Sequence, residues 1–302
     1  GSLRNPAGFC GIVGMRPSYG LVASDKRAHG WSCLSTDGPM ARNVADTALM
    51  LSVMASDDTR DPLAYTLPGE AVRGAPSRWA VPPAIDLGRL RLAFTEDFSF
   101  APTEALIRRA FRARVRRIAP LFADASEATP DCSGADETFA VLRASLFLTQ
   151  HGKNYRERPE MLGPNVRANV EEGLSYSLED FSRAVANQTR IYRAYQSFFA
   201  AHDVLISPTI TLSPRPWSEL YPAEIDGVPT RSYFHWLALA YAVTLAGHPA
   251  LSLPLGRDEN GLPFGLQIVG PRGGDALVLG IAAALEQAFA GDAELCRPQP
   301  DL

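Results

Sequence analysis

The chain has 302 residues, 46% of them hydrophobic and 21% charged, an ordinary globular composition that can bury a large core without disulfides. A formal net charge of -4 gives no broad basic field, so neither nucleic acid nor an anionic membrane surface is an expected partner. No apolar run approaches the roughly 20 residues of a membrane span, and Cys10, Cys33, Cys132 and Cys296 share no C-x-x-C or His/Cys spacing that would hold a structural metal.

Residues 1–40 are rich in glycine and short apolar runs and read as loop, helical turn and loop against a core. Val44–Met54 places apolar residues at 44, 48, 51 and 54, one helical face, with Asn43 as N-cap and Asp46 in the first turn. Residues 56–88 carry charges and Pro62, Pro68, Pro76, Pro82 and Pro83, a surface excursion. Leu90–Phe94 is the first clear strand candidate. Thr103 is expected to cap a helix reaching about Leu121. Its arginines at 108, 109, 112, 114, 116 and 117 alternate with Ile107, Phe111, Val115 and Ile118 at helical spacing. This reads as an amphipathic helix with a solvated arginine face rather than a nucleic-acid stripe. Only two of the 29 basic residues are lysines, so arginine is simply the default cation here.

Segments 137–150 and 165–173 read as helices. Residues 178–202 form a longer one, with Phe181, Val185, Ile191, Tyr195 and Phe198 on its apolar side. Asp203–Ser207 follows as a buried strand ended by Pro208. A second helix-then-strand unit runs over Ser232–Gly247 and Ala250–Leu253. Phe264–Val269 is another strand and Ala276–Phe289 the last helix. The alternation argues an α/β fold, with 203–207, 250–253 and 264–269 in one sheet. There is no internal repeat and no internal boundary, so residues 1–302 read as a single domain.

Five segments carry more specific information. The chain opens G-S-L-R-N-P-A (residues 1–7), continues F-C-G (9–11) and then R-P-S-Y-G (16–20). Gly38-Pro39-Met40-Ala41-Arg42 leads into Val44-Ala45-Asp46. Later come D-V-L-I-S-P-T (203–209), A-G-H-P-A-L-S-L-P (246–254) and G-L-P-F-G-L-Q-I-V-G (261–270). A serine next to glycine on a tight turn can present its hydroxyl to a carbonyl while nearby N–H groups point at the developing oxyanion. Serine is a poor nucleophile near neutral pH and needs a base. There is no G-x-S-x-G elbow, and none of the five histidines stands in a recognisable hydrolase motif.

Taken together and in this order, the five segments resemble the amidase signature family. The resemblance spans most of the chain and implies an amidase signature α/β fold, a mixed central sheet covered by helices on both faces. It implies Ser2 as nucleophile, with Gly1 and Ser2 forming the oxyanion turn, and an acyl-enzyme route from carboxylic amide to acid plus ammonia or amine. The continuation in register after Ser2 favours a native serine over a Gly-Ser cloning remnant. In the family the base is a lysine acting through a second serine whose peptide bond is cis, and both lie upstream of the G-S-L-R segment. The chain is therefore read as a truncated C-terminal portion that lacks these groups and is expected to be inactive by itself. Gly1 here carries a terminal amine, whose ordinary pKa of about 8 would leave it partly protonated near neutral pH.

Arg4 is assigned a structural role near the site, bonding nearby carbonyls. Cys10 has no accompanying base and is read as packing beside the serine loop. Lys26 and Lys153 match no catalytic segment and read as surface residues. Asp46 is a capping and dipole group. His248, in a turn before a strand, and Trp236 with Tyr241 are read as structural, with a pocket-lining role as the alternative. No metal or organic cofactor is implied. The expected partner is a small-molecule amide, a homo-oligomer is left open, and scattered thiols point to a reducing cytoplasm with all four cysteines free. Two alternatives stand beside the amidase reading: the amidase subunit of a glutamine-dependent tRNA amidotransferase, and a non-catalytic fragment or binding module of the same fold.

Overall fold

A computed structural model describes residues 1–64 and 80–299. Part of the 56–88 excursion thus lies outside the described residues.

Among the described residues the centre is a seven-stranded mixed sheet. Its strands are β1 (Val13–Arg16), β2 (Met40–Ala41), β3 (Arg91–Phe94), β4 (Asp124–Glu127), β5 (Val204–Pro208), β8 (Ala250–Arg257) and β9 (Pro263–Val269), in the order β2-β1-β8-β9-β5-β3-β4. A small hairpin, β6 (Glu224–Ile225) with β7 (Val228–Pro229), stands apart. The β3–β4 and β3–β5 pairs are parallel and the remaining pairs antiparallel. The three strands expected at 203–207, 250–253 and 264–269 are neighbours in this sheet, as the alternation of helix-period and β-rich runs implied.

Helices cover both faces. One side carries α2 (Val44–Met54), α3 (Ala105–Ile118) and α8 (Asp275–Ala288), packed on Val13, Met15, Leu92, Ile206, Leu253 and Ile268. The other carries α4 (Ala135–Glu157), α6 (Leu178–Ala201) and α7 (Ala238–Ala246), packed on Ala93, Leu205, Ala250 and Val269. Consecutive strand residues go to opposite sides, the period-two rule of a strand buried on both faces. The remaining helices are α1 (Arg4–Cys10) and α5 (Pro164–Ser175).

Local signals account for most ends. Asn43 caps α2 by accepting the Asp46 N–H at 2.7 Å, and Ser177 with Asp180 forms a reciprocal capping box at the start of α6. The N-terminus of α3 departs from expectation. Its N-cap is Glu104, not Thr103; the Thr103 hydroxyl instead bonds the Ala101 carbonyl at 3.3 Å. The Ala105 N–H is taken by the carboxylate of Asp226, distant in sequence, at 2.7 Å, so a tertiary partner supplies the cap. The regular helix stops at Ile118, and Pro120 sits in the tighter turn that follows. Val185 is exposed rather than on the apolar side of α6.

Four arginines of the exposed face of α3 are engaged in ion pairs. Arg108 meets Asp97 at 2.6 Å, Arg109 meets Glu259 at 2.7 Å, and Arg112 and Arg117 pair with Glu96 and Asp292. Arg114 departs from the solvated face: it is buried, donates to the Leu255 and Arg257 carbonyls at 2.8 and 2.7 Å, and lies over the Phe264 ring. All four cysteines are free thiols; burial pushes Cys132 up to about 12, whereas Cys10 is exposed. No helix among the described residues is long and apolar enough to cross a membrane.

Candidate active site

Ser2 stands just ahead of α1. The Asn5 N–H donates to the Gly1 carbonyl at 2.9 Å and the Ala7 N–H to the Leu3 carbonyl at 3.3 Å, so Gly1, Ser2 and Leu3 already form the entry turn of the helix. Gly1 and Ser2 are exposed, at the lip of a cleft of about 500 Å³ that also borders Arg16, Thr36, Asp37 and Thr244.

What holds this turn is the sheet beneath it. Four residues stand directly opposite one another across four strands: Gly14 on β1 faces Ser252 on β8, Ser252 faces Gln267 on β9, and Gln267 faces Ser207 on β5. This row is small or polar, whereas the opposite face of the same strands is Val, Met, Leu and Ile. The small members allow α1 to lie almost on the backbone. A Cβ at Gly14 would fall 2.5 Å from the Leu3 carbonyl oxygen and 2.6 Å from the Ala7 Cβ. A Cβ at Gly265, on the same face of β9, would sit 2.9 Å from the Gly8 Cα. The row's polar atoms all have partners: the Gln267 Nε2 donates to the Ser207 hydroxyl at 2.9 Å, and Ser252 shares a 3.0 Å hydroxyl bond with Thr209 beside the row.

Arg4 locks the helix entry to this platform. Its guanidinium is buried and donates to the Gln267 Oε1, and at 2.9 Å to both the Ala240 carbonyl and the Thr244 hydroxyl of α7. Burial, and then the charge of Arg16, lowers its pKa to about 9. Arg16 is buried as well and ties the turn before β8 to the loop after β1, donating to the His248 carbonyl at 3.0 Å and the Cys33 carbonyl at 2.8 Å. Protein packed around the Gly1 nitrogen, and after it the charges of Arg4, Arg143 and Arg16, lower that amine well below its ordinary value.

The structure brings Gly1, Ser2 and Arg4 together. Cys10 does not join them: it lies exposed at the far end of α1, not packed beside the serine turn, because α1 turns its Gly8 side to the sheet and ends there. Lys26 and Lys153 are exposed. Asp46 is exposed and holds the Asn43 side chain. Trp236 and Tyr241 do not share a pocket. Trp236 stacks on Phe9 at 5.6 Å between ring centres, while the Tyr241 hydroxyl donates to Asp136 at the edge of a separate cavity of about 580 Å³.

His248 is a packed core residue. Its ring is buried against Phe199, 5.0 Å between centres, its Nδ1–H donates to the Gly270 carbonyl at 2.9 Å, and its Nε2 accepts from Gln196 at 3.2 Å. Burial holds its pKa down to about 4, against an ordinary 6.5. A folded-state pKa below the unfolded one means that stability is full above about pH 6.5 and is lost as pH falls towards 4, by up to about 3 kcal/mol. The stability gap between the wild type and His248→Asn should therefore narrow over that window when urea midpoints are compared. Parallel pH profiles for the two proteins would count against a neutral buried His248.

Sequence reasoning missed the platform: Gln267, Ser252, Ser207 and Gly14 were seen only as parts of motifs. One signal was present, a glutamine inside the otherwise apolar run G-L-Q-I-V-G, since a buried amide requires partners.

Comparison with known proteins identifies the family and the fold. The family model described as Amidase matches residues 1–279. The chain is 27% identical over 296 residues to an acylamidase of Rhodococcus erythropolis, covering 95% of this chain and 59% of that protein. It is 32% identical over 318 residues to a glutamyl-tRNA(Gln) amidotransferase subunit of Synechococcus elongatus (strain ATCC 33912 / PCC 7942 / FACHB-805), covering 95% of this chain and 62% of that protein. Its fold superposes on the crystal structure of a bacterial aryl acylamidase belonging to the amidase signature enzymes with a TM-score of 0.79 at 21% identity, covering 94% of this chain and 59% of the other. The chain thus spans about 60% of the length of these relatives.

Proposed function

Since the chain belongs to the amidase family, we propose that Ser2 is an acylating nucleophile and that the whole protein hydrolyses a carboxylic amide to an acid plus ammonia or an amine. Ser2 itself carries the reading, as an exposed serine at the lip of a cleft, on a turn anchored from below by buried Arg4. In the proposed reaction the Ser2 Oγ bonds to the amide carbonyl carbon as its proton passes to a base. The N–H groups of Gly1 and Ser2 bond the oxyanion. The amide nitrogen then leaves with a proton, and water hydrolyses the resulting ester.

Resemblance assigns the base to a lysine acting through a second serine, neither of which this chain supplies. The proposal includes no cofactor. Its partner is a small-molecule amide, and free thiols support a cytoplasmic location.

Treatment of the protein expressed from its complete coding sequence with a fluorophosphonate probe should label Ser2, read by mass spectrometry of the peptide that contains it. The same preparation should hydrolyse members of a panel of aryl anilides and aliphatic amides. Labelling confined to another residue would defeat the proposal. The 32% identity to a tRNA amidotransferase component supports a second reading, in which the amide is glutamine and the ammonia serves a partner protein. Glutamine hydrolysis together with indifference to anilides would select it.

A further inference from the structure

We infer that Gln267 is a positioning residue for acyl transfer, the group in the sheet that sets where the Ser2 turn sits. The inference rests on Ser2 being the nucleophile.

Gln267 is fully buried on β9, between Ser252 and Ser207 in the cross-strand row. Its neighbours in the row are serines, and Gly14 ends it, so Gln267 is the one long side chain of the row. Its head group is saturated from both ends. The Oε1 accepts from the Arg4 Nη1, and the Nε2 donates to the Ser207 hydroxyl at 2.9 Å and to the Leu239 carbonyl at 3.1 Å. Leu239 immediately precedes Ala240, whose carbonyl accepts from the other arm of Arg4 at 2.9 Å. The bonds close a ring running from Gln267 to Arg4, to Ala240, along the chain to Leu239, and back to Gln267. A ring of this kind over-determines the place of the guanidinium, because no member can move without breaking a buried bond.

From Arg4 the constraint passes to Ser2 through one turn of backbone, closed by the Asn5 N–H on the Gly1 carbonyl at 2.9 Å. Only a carboxamide fits this place. A glutamate would accept from Arg4 but would leave the Leu239 carbonyl without its donor, and methionine would satisfy neither partner. Acyl transfer is sensitive to such placement, since a shift of about 1 Å in the reacting group can lower the rate by about 10²-fold.

The test uses protein expressed from the complete coding sequence, with kcat and KM measured on the best amide of the panel and normalised to folded molecules by circular dichroism. Gln267→Met should lower kcat by about 10²-fold with KM within about 2-fold of wild type, and should slow Ser2 labelling in parallel. Gln267→Glu keeps the acceptor for Arg4 and loses the amide donors, so it should recover kcat to between about 3-fold and 10-fold below wild type. A kcat per folded Gln267→Met molecule within about 2-fold of wild type would overturn the inference, as would equal losses in the two variants. Should Gln267→Met not fold, Gln267→Glu decides alone: an unchanged kcat overturns the inference, and a fall in kcat at constant KM supports it. Retained turnover in Ser2→Ala under the same assay would sink the nucleophile reading instead, independently of either Gln267 variant.

Discussion

In protein expressed from the complete coding sequence, Ser2→Ala is expected to lower amide turnover by at least about 10³-fold while leaving the fold in place. The magnitude follows from covalent catalysis. Without the Oγ there is no acyl-enzyme, and the N–H groups of the turn can only polarise the carbonyl for direct attack by water. The retained fold follows from position: Ser2 is exposed at the cleft lip. Exposed substitutions away from caps and networks usually change stability by less than about 0.5 kcal/mol. The melting temperature should therefore move by no more than about 2 °C. Steady-state hydrolysis and a thermal melt on one preparation check both halves. Turnover close to wild type would mean that another group attacks the amide. A large loss of melting temperature would mean that Ser2 is a packing residue.

Gly14→Val should cost about 3 kcal/mol of stability and should impair the serine site at the same time. The atoms a Cβ would meet are the Leu3 carbonyl oxygen at 2.5 Å and the Ala7 Cβ at 2.6 Å. Both belong to α1 or its entry turn, and neither is the free end of a flexible side chain. Relief therefore requires lifting the helix off β1, and that movement also strains the buried bonds of Arg4 to Gln267, Ala240 and Thr244. Turnover should fall by about 10²-fold even under conditions where the variant is folded. Gly291→Ala is the natural control, because Gly291 is exposed and a Cβ there meets nothing within 4 Å. It should stay within about 0.5 kcal/mol of wild type in urea unfolding. Equal stability of Gly14→Val and the control would show that α1 has room to move, and that the small residues of the row are not what seats it.

Both expectations involve residues that were unequally legible in the sequence. Helices α2, α6 and α8 show in the apolar period, and α2 also in a short-range cap, Asn43, that acts within one turn. Strands β5, β8 and β9 show as short Val, Ile and Leu runs ended by proline or glycine, since burial on both faces leaves a single buried polar residue in each, Ser207, Ser252 and Gln267. Strand β1 was not legible. Val13 and Met15 point into one core while Gly14 and Arg16 face α1 and its surroundings, so its sequence reads as loop although all four residues are buried. The cap of α3 failed for a related reason: Thr103 satisfies the local rule, but the carboxylate of Asp226 arrives from another part of the fold.

By itself the sequence determined the family, the mixed α/β sheet, and the serine turn with its neighbouring arginine, because those features are written in contiguous residues whose conformations depend on near neighbours. Only the tertiary structure decided that Cys10 faces solvent while Arg114 and His248 do not. It also decided that Gly14, Ser252, Gln267 and Ser207 form one row under α1. Those facts depend on strand register and on which side of a helix meets the sheet. Register pairs residues far apart in the chain, and the energy that selects it, hydrogen bonding and burial across four strands at once, has no counterpart in any single segment.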